Sequence, residues 1–281
     1  MPPPRVSFYT RGQRHVHEDS YIIVNQCYIQ YRPPILQAQK EEPPIPIIFI
    51  HGGGLTGAQW ESTPDLRPGW AVRSAEAGYH TYILDGVDSG RSQRAPDSLR
   101  KGDSEHRTVK EMWDRFRFGS PDAFESRQVF DTSQFPVDGL DVLLASQTSR
   151  RRTIDNVECR GIAEAIRAVG ECWVIAHSHG GALMIDALQE TKSLVKKLVL
   201  IEPGGTSLAK NLTKEVPTLI VWGDFLDSHY AWSKYQRMFD NAPVETLNLP
   251  EVGLPGNSHF PMSDLNSDEV FKQVLTWFES N

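Results

Sequence analysis

Short apolar runs alternate along the chain with longer segments whose apolar positions recur every three or four residues. Ile47–Ile50, His80–Leu84, Trp173–Ala176, Lys197–Ile201, Thr218–Trp222 and Val244–Leu249 have strand length and strand composition. Helical spacing appears near Trp70–Ala77, near Ile154–Val169, over Gly181–Glu190 and near Ala231–Asp240. It appears again over Asp268–Glu279, where Val270, Phe271, Val274, Leu275 and Phe278 mark one face. Val6–Thr10 and Tyr21–Tyr31 read as leading antiparallel strands, followed by a polar, proline-rich connection over Gln37–Pro46. Strand–helix alternation of this kind predicts an α/β fold: a mostly parallel eight-stranded sheet with helices on both faces.

The alternation stops between about Gln93 and Arg152. That stretch is rich in charge and carries Trp113, Phe116, Phe118, Phe124, Phe130 and Phe135. Loops this long are uncommon without a role, so we expect a cap that forms the substrate pocket and excludes water. A surface excursion packed on the sheet is the plainer alternative. The stretch has no long amphipathic helix suited to a lipid interface. We expect residues 1–281 to form one domain carrying this insertion, about 93–152.

Composition changes the picture only by exclusion. A net charge of −7 disfavours nucleic acid and anionic membranes as partners. No stretch approaches the ~20 apolar residues of a membrane span, and Met1–Arg5 lacks the apolar core of a signal peptide. The three cysteines, Cys27, Cys159 and Cys172, are widely spaced and odd in number, which suggests buried reduced thiols. The resulting expectation is a cytoplasmic protein, with a homodimer as the commonest default assembly. The His15/His17 and His177/His179 pairs lack a suitably spaced third ligand, so no metal is expected.

Candidate chemistry enters at Ala176-His177-Ser178-His179-Gly180, which is G-x-S-x-G with alanine in the first slot. An apolar run, a sharp turn and a helical segment in succession describe a nucleophile elbow with Ser178 exposed at its tip. His51-Gly52-Gly53-Gly54 directly follows another strand-like run. Glycines there leave backbone N–H groups free to stabilise an oxyanion, the second donor being the N–H of His179. Gly53, Gly54 and His179 are therefore the candidate oxyanion residues, with His177 and Leu55 expected to line the substrate pocket. A phosphate-binding P-loop is excluded, because no Gly-Lys-Ser/Thr ending follows. Gly256-Asn257-Ser258-His259 precedes the last helical segment, where a general base belongs.

The acid is contested. Asp224 and Asp227 follow Pro217–Gly223, the usual position. Glu202 ends the preceding strand and has a longer reach. We take Glu202, with Asp224 and Asp227 as alternatives.

These motifs resemble the α/β-hydrolase fold serine esterases. Similarity is closest to a small group of microbial esterases with His-Gly-x-x-Leu-Thr-Gly, here His51–Gly57, and Trp-Glu-x-Thr-Pro-Asp, here Trp60–Asp65. Tyr82–Ser92 and the terminal Gly-Asn-Ser-His also match, while the middle of the chain matches poorly. Some of that group carry two adjacent cysteines where this chain has Gly53-Gly54. The resemblance implies a glutamate acid, favouring Glu202, and hydrolysis of small to medium esters without a cofactor. A lactonase, C–C hydrolase, perhydrolase or hydroxynitrile lyase would reuse the same residues. A slow-turnover ligand receptor would also retain them.

Overall fold

In the computed structural model, residues 5–35, 44–99, 104–151, 156–205 and 207–280 are described. Most of the Gln37–Pro46 connection, the start of the helix expected from Ile154, and residues 100–103 and 152 of the insertion lie outside them.

The chain opens with β1 (Phe8–Tyr9), β2 (Gln13–His17), β3 (Ser20–Val24) and β4 (Tyr28–Arg32). Then come β5 (Ile47–Ile50), α1 (Trp70–Glu76) and β6 (Thr81–Asp85). The insertion holds β7 (Ser104–Glu105), α2 (Val109–Arg115), α3 (Leu140–Ala145) and β8 (Arg150–Arg151). It leads to α4 (Asn156–Val169), β9 (Cys172–His177), α5 (Ser178–Thr191) and β10 (Val195–Ile201). The chain closes with β11 (Thr218–Trp222), α6 (Tyr230–Arg237), β12 (Glu245–Asn248) and α7 (Ser267–Glu279).

The main sheet has eight strands in the order β1-β4-β6-β5-β9-β10-β11-β12. It is parallel from β6 to β12 and antiparallel where β4 meets β1 and β6. One expected strand is divided. Tyr21–Tyr31 splits into β3, which pairs with β2 in a separate hairpin, and β4, which joins the sheet. Asn25 lies between them at φ 63°, a left-handed turn that asparagine tolerates better than most residues.

Period-two side-chain alternation supplies two cores. Ile48, Ile50, Val174, Ala176, Leu198 and Leu200 face one side, where Ile162 and Ile166 of α4 and Leu183 and Met184 of α5 pack. Ile47, Phe49, Ile175, Val199 and Ile201 face the other, against Trp70 of α1 and Phe271, Val274 and Phe278 of α7. Strands buried on both faces need continuous apolar sequence, which β5, β9 and β11 have. The loops leaving the C-terminal ends of β5, β9, β10 and β11 converge on one edge, where open α/β sheets bind ligands.

Candidate active site

At the end of β9 the chain reverses within one residue. Ser178 has φ 52°, in the left-handed region that non-glycine residues rarely occupy. The reversal draws α5 against the β5 loop: a Cβ on Gly180 would lie 2.1 Å from the carbonyl oxygen of His51. Ala176 does not share that crowding. It lies in the extended strand, buried in the core, so a methyl group fits where the motif usually has glycine.

Ser178 Oγ lies 2.9 Å from His259 Nε2, and His259 Nδ1 lies 3.2 Å from Glu202 Oε2. With Nδ1–H donating to the carboxylate, Nε2 accepts from the serine hydroxyl. Glu202 follows β10 with φ 47° and is wholly buried. Its Oε1 accepts from Arg117 Nη2 at 2.8 Å and from the Gly223 N–H. The other two carboxylates are engaged elsewhere. Asp224 accepts from the N–H groups of Phe225 and Gly256, and Asp227 from the Ser233 hydroxyl. The N-cap of α6 is His229, whose Nδ1 accepts from the Ala231 N–H.

The His259 ring is buried between Phe116, stacked at 4.9 Å, and Trp232 at 4.1 Å. Burial, and then the guanidinium groups of Arg117, Arg115 and Arg107, hold the imidazole well below its usual value. It is therefore neutral at pH 7, the form that can accept a proton. Its loop is braced by Asp264, which accepts from Asn257 Nδ2 and from the Ser258 N–H and hydroxyl. Burial pushes Asp264 up to about 7 against the pull of those donors.

On the β5 side, the Gly52 N–H donates to Gln59 Oε1 at 2.9 Å. Among the described residues, neither the Gly53 nor the Gly54 N–H has a protein acceptor. The His179 N–H follows Ser178 at the first turn of α5. His177 and Leu55, expected to line the substrate pocket, are both buried. His177 is almost fully buried: Nε2–H donates to the His259 carbonyl at 2.9 Å, and Nδ1 accepts from Gln59 Nε2 at 3.2 Å. His177 thereby ties the segment carrying Gln59, after β5, to the loop carrying His259. Leu55 is buried in the same core cluster as Trp60 and Phe49. A cavity of about 30 Å³ lies beside the loop, lined by Gly53, Gly54, His179, Glu158, Val87 and Ile162.

Four neighbours of the site were not singled out individually: Arg117, Phe116 (named only among the aromatics of the expected cap), Trp232 and Gln59. A signal existed for the first two. Thr108-Val-Lys-Glu111 ahead of Met112 and Trp113 is a capping-box helix start, and it marks the helix that delivers them. Trp232 and Gln59 carry no local signature. Among the described residues, no group of three or more His, Cys, Asp or Glu is placed to hold a metal ion, and no helix is long and apolar enough to cross a membrane.

Residues 47–247, well over half of the chain, match the Alpha/beta hydrolase family, and the protein belongs to that family. Among solved structures, one described as a novel bacterial esterase superposes with a TM-score of 0.83 at 26% identity, covering 99% of this chain and 96% of that one. A curated relative from Fungal sp. (strain ATCC 74256), named "Probable secreted lipase phiG", is 24% identical over 86% of this chain and 83% of its own. That relative is named as secreted, so the cytoplasmic expectation gains no support from it.

Proposed function

We propose that the protein is a carboxylic ester hydrolase acting through an acyl-enzyme on Ser178. The observation that supports this best is the chain of contacts from Ser178 Oγ to His259 to Glu202, at 2.9 and 3.2 Å. His259 takes the serine proton as Oγ attacks the ester carbonyl, and Glu202 stabilises the imidazolium. The N–H groups of Gly53, Gly54 and His179 receive the oxyanion. Collapse of the tetrahedral intermediate expels the alcohol, protonated by His259. Water then attacks the acyl-serine with His259 again as base. Every step uses protein groups and water alone.

The insertion serves as a cap, since Phe116 and Arg117 pack directly on the acid–base pair. The cavity beside the oxyanion loop has room for a water or two, which favours a short acyl group. The family resemblance and the bacterial esterase fold at 26% identity agree with this reading.

The test is hydrolysis of p-nitrophenyl acetate, butyrate and octanoate by wild type, Ser178→Ala, Glu202→Gln and Asp224→Asn. Acetate and butyrate should be cut fastest. Ser178→Ala should lose all turnover, Glu202→Gln about 10³–10⁴-fold, and Asp224→Asn far less. Undiminished activity in Ser178→Ala would remove the serine from the mechanism. An active Glu202→Gln with an inactive Asp224→Asn would move the acid. Activity confined to lactones or carbon–carbon substrates would keep the triad and change the substrate class.

A further inference from the structure

We propose that Arg117, carried by the insertion, is a positioning residue for the reaction: it holds the Glu202 carboxylate in place, so the insertion supplies part of the acid–base machinery as well as a cover. This rests on the reading of Glu202 as the triad acid.

Helix α2 is short and closed at both ends. Thr108 and Glu111 form a reciprocal capping box at its start. At its end the Arg117 N–H donates to Asp114 O and the Phe118 N–H to Trp113 O. These are the paired bonds of a Schellman motif, and the edge-on Trp113–Phe118 contact supplies its usual apolar clasp. The motif requires a left-handed residue after the cap, normally glycine. Arginine occupies that position here, at φ 63°. An arginine adopting a glycine conformation while fully buried combines two unfavourable features; the helix end calls for the left-handed backbone but not for an arginine or its burial.

The side chain accounts for the choice. Arg117 Nη2 donates to Glu202 Oε1 and Nε to the Asp224 carbonyl, both at 2.8 Å. The guanidinium carbon lies 5.2 Å from the centre of the Trp232 ring, which itself covers His259. Both members of the Arg117–Glu202 pair are wholly buried. The two Glu202 oxygens are thereby divided: Oε1 is held by Arg117 and Gly223, leaving Oε2 for His259. The same helix end acts on the base, since the Phe116 carbonyl accepts from the His259 N–H at 3.1 Å and the Phe116 ring stacks on the imidazole.

A buried arginine donating to one carboxylate oxygen holds Glu202 in one rotamer. It also offsets much of the carboxylate charge felt by His259. The other charged or titratable groups around the imidazole are Arg115, Arg107 and His177. Removing Arg117 therefore leaves an unpaired buried carboxylate beside a more basic histidine.

The test is kcat/KM against pH on p-nitrophenyl acetate for wild type, Arg117→Met, Arg117→Lys, Glu202→Gln and the Arg117→Met/Glu202→Gln double variant. Thermal melts normalise each to folded enzyme. Arg117→Met should lose about 10²-fold in kcat with little change in KM, and its acid limb should move up by about one pH unit. Arg117→Lys keeps the charge but not the two-point grip. It should hold the acid limb near that of wild type and lose about tenfold in kcat. In the Glu202→Gln background the methionine substitution should cost about twofold or less. Wild-type kcat and acid limb in folded Arg117→Met, or an equal penalty in both backgrounds, would overturn the proposal. If Arg117→Met does not fold, Arg117→Lys decides, and a kcat within about twofold of wild type overturns it. Wild-type activity in Glu202→Gln would instead mark failure of the acid assignment itself.

Discussion

Among the described residues nine non-glycine positions have left-handed backbone, and three of them, Arg117, Ser178 and Glu202, belong to the candidate site. Ser178 and Glu202 both adopt left-handed backbone at the ends of adjacent parallel strands. Each kink lifts a side chain off the sheet edge towards His259, and close approach of the neighbouring backbone makes it possible. At Gly180 that approach leaves no room for a methyl group. Gly180→Ala should therefore destabilise the protein by about 1–3 kcal/mol and lower kcat/KM, because the His51 backbone and the elbow must part. Urea unfolding beside ester kinetics checks this, and an undisturbed variant would contradict the close contact. Ser178, His259 and the glycine loop were legible because each sits in a motif whose spacing has a backbone cause. Glu202 was legible only as one of three carboxylates. Its claim rests on burial and on contacts with Arg117 and Gly223, which lie 85 and 21 residues away in sequence. His177 was expected at the pocket from its place beside Ser178, and its bonds to the His259 carbonyl and to Gln59 were not legible, because those partners are distant in sequence.

Among the elements, the strands and helices of the main sheet were readable from periodicity alone, since burial on both faces imposes a continuous apolar run. The insertion was less so. Its helices α2 and α3 are one to two turns long, too short to display a period, and much of its order comes from contacts with distant residues. Phe118 packs on Phe135 and Phe260, and Gln134 N–H donates to Gly256 O. The split of Tyr21–Tyr31 was hidden because Asn25 and Gln26 make only a two-residue polar break in a largely apolar run. Short helices depend on their caps. Thr108→Ala removes the side chain that accepts the Glu111 N–H and should cost about 1 kcal/mol of stability. It should also lower kcat, because the far end of the same helix holds Phe116 and Arg117 against the acid–base pair. A loss of stability with kcat unchanged would show that the two ends of α2 are not coupled.

For the whole molecule, the buried titratable groups set a pH window. Burial holds His51, His177 and His259 below the ordinary imidazole value. In the unfolded chain each takes a proton near pH 6.5, while the folded protein does so only at lower pH. The unfolded state therefore binds more protons below pH 6.5, and stability falls as pH drops through that range. Asp264 acts in the opposite sense. Raised to about 7, it stays protonated in the fold after the unfolded chain has ionised, so it removes stability as pH rises from about 4 to 7. Three histidines outweigh one carboxyl, and the melting temperature should fall between pH 7 and pH 5. A melting temperature that rises as the pH falls across that interval would mean that Asp264 outweighs the histidines. The same depression places the acid limb of kcat/KM below pH 6.5, because the proposed mechanism needs His259 neutral.

The central claim is that Ser178 is the nucleophile. The most direct measurement is reaction with diisopropyl fluorophosphate followed by peptide mass mapping, since attack on phosphorus expels fluoride and leaves a stable phosphoryl-serine at the nucleophile. The account predicts one adduct per chain, on Ser178, appearing in step with loss of esterase activity and absent in the Ser178→Ala protein. An adduct on another residue that tracks the loss of activity, or full activity after Ser178 is modified, would contradict it.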